Sequence, residues 1–228
     1  MINMQNVTKK YPNGIIAVNG LNIQIDHGEF IYVVGPSGAG KSTFIKLMYR
    51  EERATSGSIK VNDVDLSTLK NKHVPFFRRN IGVVFQDFRL LPTLTVYENV
   101  AYALEVIETN PKEIKKKVME VLELVGLKHK VRMLPTELSG GEQQRVSIAR
   151  SIVNKPKIVI ADEPTGNLDP ETSWEIMGLL EEINLHGTTI IMATHNKEIV
   201  NTIKHRVVAI ESGRIVRDEQ RGEYGYEI

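Results

Sequence analysis

The chain has 228 residues, 29 Lys and Arg against 28 Asp and Glu, and no cysteine. That length allows one large core rather than two full domains, the near-zero charge balance argues against a surface-wide nucleic-acid footprint, and the missing thiols exclude disulfides and thiolate metal sites. No apolar run approaches the roughly 20 residues that cross a bilayer, and the first residues lack the apolar stretch of a signal peptide. A cytoplasmic chain without direct membrane insertion is therefore expected.

Alternating apolar and polar residues from Ile15 to Ile25, preceded by Met1 to Tyr11, predict antiparallel strands at a sheet edge. Phe30 to Val34 is continuously apolar and rich in β-formers, as in a parallel strand covered on both faces. Directly after it stands Gly35-Pro36-Ser37-Gly38-Ala39-Gly40-Lys41-Ser42, the pattern of a phosphate-binding loop, followed at Thr43 by a helical pattern. Glycines let backbone N–H groups turn inward around phosphates, and the helix start adds partial positive charge. In such a loop the lysine reaches the β- and γ-phosphates and the hydroxyl of Ser42 ligates Mg²⁺.

Extended segments are expected at Ser58 to Val64 and Asn80 to Phe85. From about Phe88 to Lys155 the pattern is almost wholly helical: Ile114, Val118, Val121, Leu122 and Val125 recur at helical spacing opposite Lys115, Lys116, Glu120 and Glu123. The basic stretch Lys115-Lys116-Lys117 with Lys128, Lys130 and Arg132 is interleaved with acids and is expected to be a solvated face. Strands return at Ile158 to Ala161, Thr188 to Thr194 and Val207 to Ile210, with a helix from about Glu171 to Ile183. Glu211-Ser212-Gly213-Arg214 has the composition of a hairpin turn. The expected architecture is α/β: a phosphate-loop core with a mostly parallel sheet over 1–87 and 156–228, an antiparallel β edge at its N-terminal end, and an inserted helical subdomain over 88–155, all within one domain.

Asp162-Glu163 closes the strand Ile158 to Ala161 at the edge where ligands of α/β sheets bind. Asp162 suits Mg²⁺, through water, because that small ion keeps several of its waters. Glu163 suits polarisation of the water that attacks a γ-phosphate. Leu138-Ser139-Gly140-Gly141-Glu142-Gln143 opens another helix. Ser139 and Glu142 form a capping box in sequence, and the two glycines leave that helix start bare for a second anion. The six histidines show no pair at ligand spacing, so no metal other than Mg²⁺ is expected.

On these motifs the sequence resembles the ABC ATPase family, whose signature is the stretch Leu138 to Gln143, and the resemblance covers nearly the whole chain. It implies ATP hydrolysis with Mg²⁺ by a homodimer that forms on ATP. Ser139, Gly140, Gly141 and Glu142 of one copy would then meet the γ-phosphate held by the phosphate loop of the other. It further implies that Gln86 contacts Mg²⁺ and the attacking water, that His195 holds the γ-phosphate, and that Asn167-Leu168-Asp169 touches the second copy, where Asp169 before Pro170 is also an ordinary helix cap. Tyr11 stands where the family stacks a ring on adenine, or else covers an edge strand. Leu47 to Glu52, Phe85 to Pro92 and the tail Gly222 to Tyr226 resemble the family's cell-division branch more than its lipoprotein-release or macrolide-export branches. That likeness implies a separate integral membrane partner at the inner face of the plasma membrane. Leu90, Leu91, Leu94 and Val96 either line the contact with it or belong to a core.

Overall fold

The structure is a computed structural model and describes residues 1–225. Tyr226, the last residue of the tail singled out above, lies outside the described residues. The chain divides into two compact units, one formed by Met1–Arg78 with the segment from Thr189 onward and one formed by Arg79–Thr188.

In the first unit, β1 (Ile2–Lys10) pairs antiparallel with β2 (Ile16–Ile25) and, on its other side, with β4 (Ser56–Val61), which turns into the short β5 (Val64–Asp65). Ile2, Met4, Val7, Val18, Leu21 and Val61 are buried; Ile2 and Met4 follow the period of two, and a register shift between Met4 and Val7 carries the alternation on by three. The antiparallel strands expected from the N-terminal alternation are present, but they form a four-stranded sheet of their own in the order β2-β1-β4-β5 rather than an edge of the parallel sheet. The parallel strands follow a different rule. All five residues of β3 (Phe30–Val34) are buried, as are those of β8 (Thr189–Ala193), which is why both read as unbroken apolar runs. β3 pairs in parallel with β8 and with β9 (Arg206–Glu211), and β10 (Arg214–Glu219) closes an antiparallel hairpin on β9. Ser212 and Gly213 at the turn have φ of 48° and 75°, the double left-handed conformation of the hairpin turn expected there. Between β3 and β4 runs α1 (Lys41–Met48), with Phe44, Ile45, Leu47 and Met48 buried. The short α2 (Val74–Arg78) ends this part of the chain.

The second unit holds the parallel pair β6 (Ile81–Val84) and β7 (Ile158–Asp162), in register Val84 to Ala161, with the helices α3 (Val96–Glu105), α4 (Pro111–Leu124), α5 (Gly140–Ile152) and α6 (Pro170–Leu185). Thr95 caps α3 and Asn110 caps α4, whose first residue is Pro111, each supplying an acceptor for otherwise orphan N–H groups. The first stretch expected to be helical departs from that expectation. Residues 88–94 form no helix, and Phe88 and Arg89 adopt left-handed φ of 58° and 48°. Arg150 of α5 holds this turn, its guanidinium donating to the carbonyls of Phe88 at 2.9 Å and Arg89 at 2.7 Å. Val96 is fully buried, and its N–H donates to Met133 O at 2.8 Å. It therefore belongs to the core of the unit, while Leu90, Leu91 and Leu94 remain half-buried.

Candidate nucleotide site

In the first unit the loop from Gly35 to Gly40 leaves the C-terminal end of β3. Three of its glycines have positive φ: Gly35 at 148°, Gly38 at 77° and Gly40 at 107°. Two of them also admit no side chain. A Cβ on Gly35 would lie 2.1 Å from Ile210 O, and one on Gly40 would lie 2.1 Å from Ala17 O. Gly38 has open space instead, with nothing within 4 Å. The loop is thus clamped against β9 and β2 while its middle faces outward. Ala39 O accepts from Gly213 N at 2.9 Å, which adds a third tie from the β9–β10 turn.

Gly40 caps α1 with no side-chain acceptor, so the first N–H groups of this helix point at whatever approaches the loop. Lys41 Nζ donates to Gly35 O at 2.9 Å and to Pro36 O at 3.1 Å, which keeps the ammonium folded over the loop. Ser42 is exposed and Thr43 half-buried. The hydroxyl of Tyr11, on the β1–β2 connection, lies 3.2 Å from Thr43 Oγ1, so its ring is fixed beside the start of α1. Thr194 N donates to Val33 O at 3.2 Å, carrying the β8 edge one residue further along β3. His195 follows, exposed, before α7 (Lys197–Thr202). Phosphate loop and His195 therefore share the C-terminal edge of one run of parallel strands, where α/β sheets take their ligands, and Tyr11 reaches the start of α1 from the antiparallel sheet.

In the second unit Gln86 stands two residues beyond β6, Asp162 ends β7 and Glu163 follows it, at the same end of a parallel pair. Glu163 adopts φ of 50°, a left-handed conformation that costs a non-glycine residue about 1–3 kcal/mol and clusters at functional sites. The turn that follows is pinned from three directions. Gly166 N donates to Glu163 O at 3.0 Å, the fully buried Gln144 donates to Pro164 O at 2.6 Å, and Gln86 and Asn167 exchange two hydrogen bonds, at 3.2 and 3.1 Å.

Ser139 and Glu142 form the expected capping box: Ser139 Oγ accepts from Glu142 N at 3.3 Å and Glu142 Oε2 from Ser139 N at 3.1 Å. Lys130 adds an ion pair to Glu142 at 2.6 Å. The hydrogen bond from Lys130, then those from Ser139, hold this carboxyl below its ordinary value. Asp169 caps α6, accepting from Thr172 N at 2.9 Å and Thr172 Oγ1 at 2.6 Å, and these bonds hold its pKa down as well. The two helix starts touch. A Cβ on Gly141 would lie 2.3 Å from Thr172 Cγ2, and one on Gly140 would lie 3.5 Å from Leu168 Cδ2. Beside them a pocket of about 380 Å³ is lined by Ser139, Gly141, Glu142, Arg145 and Thr172 among others.

The residues named for Mg²⁺, namely Ser42, Gln86 and Asp162, offer a hydroxyl, an amide carbonyl and a carboxylate. Each is a hard oxygen donor of the kind Mg²⁺ takes, and Gln86 and Asp162 stand at the same end of the parallel pair β6 and β7 in the second unit. Among the described residues no cluster of three His, Cys, Asp or Glu could hold a metal on its own. Lys130, Gln144 and Arg150 support these segments; Lys130, read in the sequence as part of a solvated basic face, is instead ion-paired to the signature helix, and no local pattern singled out the other two. Each acts across 12 to 62 positions of sequence, as in the contacts of Lys130 with Glu142, Gln144 with Pro164 and Arg150 with Phe88.

A family model described as ABC transporter matches residues 18–166. The chain belongs to the ABC transporter family. The curated relatives of this ABC chain include the Cell division ATP-binding protein FtsE of Bacillus subtilis (strain 168), 70% identical over 225 residues and matched over 99% of each chain. The FtsE of Mycobacterium tuberculosis (strain ATCC 25618 / H37Rv) is 55% identical, matched over 99% of this chain and 98% of its own. Among solved structures, the ATP-binding cassette MJ0796, a dimer in a post-hydrolysis state bound to ADP and Pi, superposes with a TM-score of 0.88 at 35% identity, over 98% of this chain and 100% of that one. Another is cbiO1 of Clostridium perfringens, part of the ABC transporter complex cbiONQ, with a TM-score of 0.89 at 32% identity, over 96% of this chain and 88% of that one. Among the described residues no helix is long and apolar enough to cross a membrane.

Proposed function

We propose that this chain is the ATP-hydrolysing subunit of a cell-division complex, pairing with a second copy on ATP and acting through an integral membrane partner of the FtsX kind. The observation that carries this reading is the 70% identity to a Cell division ATP-binding protein FtsE over 99% of both chains. At that coverage the likeness extends beyond the motifs that every cassette shares. The chemistry of hydrolysis follows from the family and from the clamped glycine loop.

In this reading the backbone N–H groups of Gly38 to Ser42 and the ammonium of Lys41 receive the phosphates, while Tyr11 takes the adenine face. Mg²⁺, when bound, neutralises charge on the β- and γ-phosphates, with Ser42, Gln86 and Asp162 as its protein side. Glu163, fixed in direction by its left-handed backbone, orients and polarises the attacking water. His195 donates to the γ-phosphate. The capped helix start at Ser139, Gly140, Gly141 and Glu142 completes the site of the opposite copy, and Asp169 stands at the same face. ATP then bridges two copies, and its cleavage releases them. Residues 88–155 would serve as the helical subdomain, with Leu90, Leu91 and Leu94 toward the membrane partner. The chain itself would stay at the inner face of the plasma membrane, and the cycle would control peptidoglycan hydrolysis outside the cell.

Co-purification from detergent-solubilised membranes tests the partner. An FtsX-type membrane subunit should be recovered in stoichiometric amount, and recovery of a lipoprotein-release or export permease in its place would overturn the cell-division reading.

A further inference from the structure

Arg50 stands just beyond α1 on left-handed backbone, with φ of 62°, and is only 8% exposed. Both conditions are costly for an arginine. The left-handed region favours glycine, and a buried cation is ordinarily paired. Here the guanidinium donates from Nε to the carbonyl Leu66 O at 3.1 Å, a neutral partner. The neighbouring carboxylates are engaged elsewhere: Glu51 with Lys46 and the hydroxyl of Tyr49, Glu52 with Lys9 at 2.7 Å, and Asp65 with Ser67. The charges that act on Arg50 are those of Arg53 and Arg78, and these, after burial itself, hold its pKa below the ordinary value.

The side chain lines a pocket of about 170 Å³ with Arg53, Thr55, Ser56, Gly57 and Ser67. A single water needs only about 10–15 Å³ of such space, so the pocket admits a small ion with part of its hydration. No residue of the loop from Gly35 to Thr43 contributes to the lining. Glu52 does, but its charge is met by Lys9 at 2.7 Å; Arg53 gives one N–H to Asn71 Oδ1, a neutral acceptor, and keeps its charge, which leaves the pocket with two arginines and a positive balance.

We propose that this pocket is a second anion site, distinct from the nucleotide loop, which takes a phosphate group between Arg50 and Arg53. Two guanidinium forks need an acceptor with more than one edge. A tetrahedral phosphate presents separate oxygen pairs to each fork, whereas a carboxylate has a single edge. The hydroxyl-bearing Ser56 and Ser67 line the same pocket.

The probe is inorganic phosphate, titrated against the whole protein with the nucleotide loop filled by a nonhydrolysable ATP analogue and Mg²⁺. Thermal unfolding and calorimetry should show saturable stabilisation by phosphate. Arg53→Met, at an exposed position, should keep the fold and weaken phosphate at least tenfold. Arg50→Met should abolish the response and unfold no earlier than the parent in phosphate-free buffer, because it removes an uncompensated charge. Acetate at the same concentration should not substitute. A phosphate response unchanged in Arg53→Met overturns the site, as does its absence from the parent protein. An equal effect of acetate overturns the phosphate assignment. ATPase turnover in Arg53→Met without phosphate should equal that of the parent, which separates this test from that of the nucleotide site.

Discussion

Replacing Gly40 by alanine should damage the nucleotide loop through two separable costs. The first is conformational: at φ of 107° an L-residue carries about 1–3 kcal/mol of backbone strain. The second is steric, since the new Cβ would lie 2.1 Å from Ala17 O, a backbone atom of β2 that cannot rotate away. Overpacking of this kind adds about 1–3 kcal/mol. The sum, about 2–6 kcal/mol, is a large share of the roughly 5–15 kcal/mol that holds a typical domain. Thermal unfolding should therefore move down by at least about 4 °C, taking about 2–4 °C per kcal/mol for a chain of this size. Relief of the contact requires the loop or β2 to shift, which displaces the N–H groups of Lys41 and Ser42. Loss of even one charge-assisted hydrogen bond, about 1.5–3 kcal/mol, should weaken ATP at least tenfold. Gly38→Ala is the control. It has φ of 77° but nothing within 4 Å, so it should carry the strain without the clash and lose about half as much stability. Equal effects of the two substitutions, or wild-type ATP affinity in Gly40→Ala measured by titration calorimetry, would refute the clamped-loop argument.

Two further outcomes concern the signature helix. Gly141→Ala should push against Thr172 Cγ2, 2.3 Å from the added Cβ, leaving ATP binding to one copy intact while lowering steady-state hydrolysis and ATP-driven dimerisation. Adding Thr172→Ser removes that methyl and keeps the hydroxyl on Asp169, so the double variant should recover most of the activity; no recovery would count against the contact. The Glu142 carboxyl has a folded pKa below its ordinary 4.5 through the Lys130 hydrogen bond first. Its contribution is thus present above pH 4.5 and lost as pH falls through the folded value. Lys130→Met should unfold earlier than the parent at pH 6, and the gap should narrow below pH 4.5. A gap independent of pH would contradict the pairing.

Legibility in the sequence followed the range of the interactions. The loop from Gly35 to Ser42 was readable because its glycines are required locally, and the structure gives each a backbone reason. The strands β3, β7 and β8 were readable because burial on both faces leaves unbroken apolar runs, and the capping box of Ser139 and Glu142 because both partners lie within one turn. The turn at Phe88 and Arg89 was not readable. It contains no glycine, and its left-handed pair depends on Arg150, which lies 61 and 62 positions away. Val96 could be read as surface or core because it sits at the first turn of α3, where periodicity has not yet begun to discriminate. Gln144 looked like a polar residue of a signature helix, and only the fold shows it buried against Pro164 O.

The central claim is that the nucleotide site works as half of a pair, with Glu163 directing the water. Glu163→Gln, assayed for phosphate release and for mass by light scattering with and without ATP, tests both parts at once. The account predicts turnover about 10² to 10⁴ times slower and a stable dimer that appears only with ATP. Near-normal turnover, or a variant that binds ATP and remains monomeric, would contradict it.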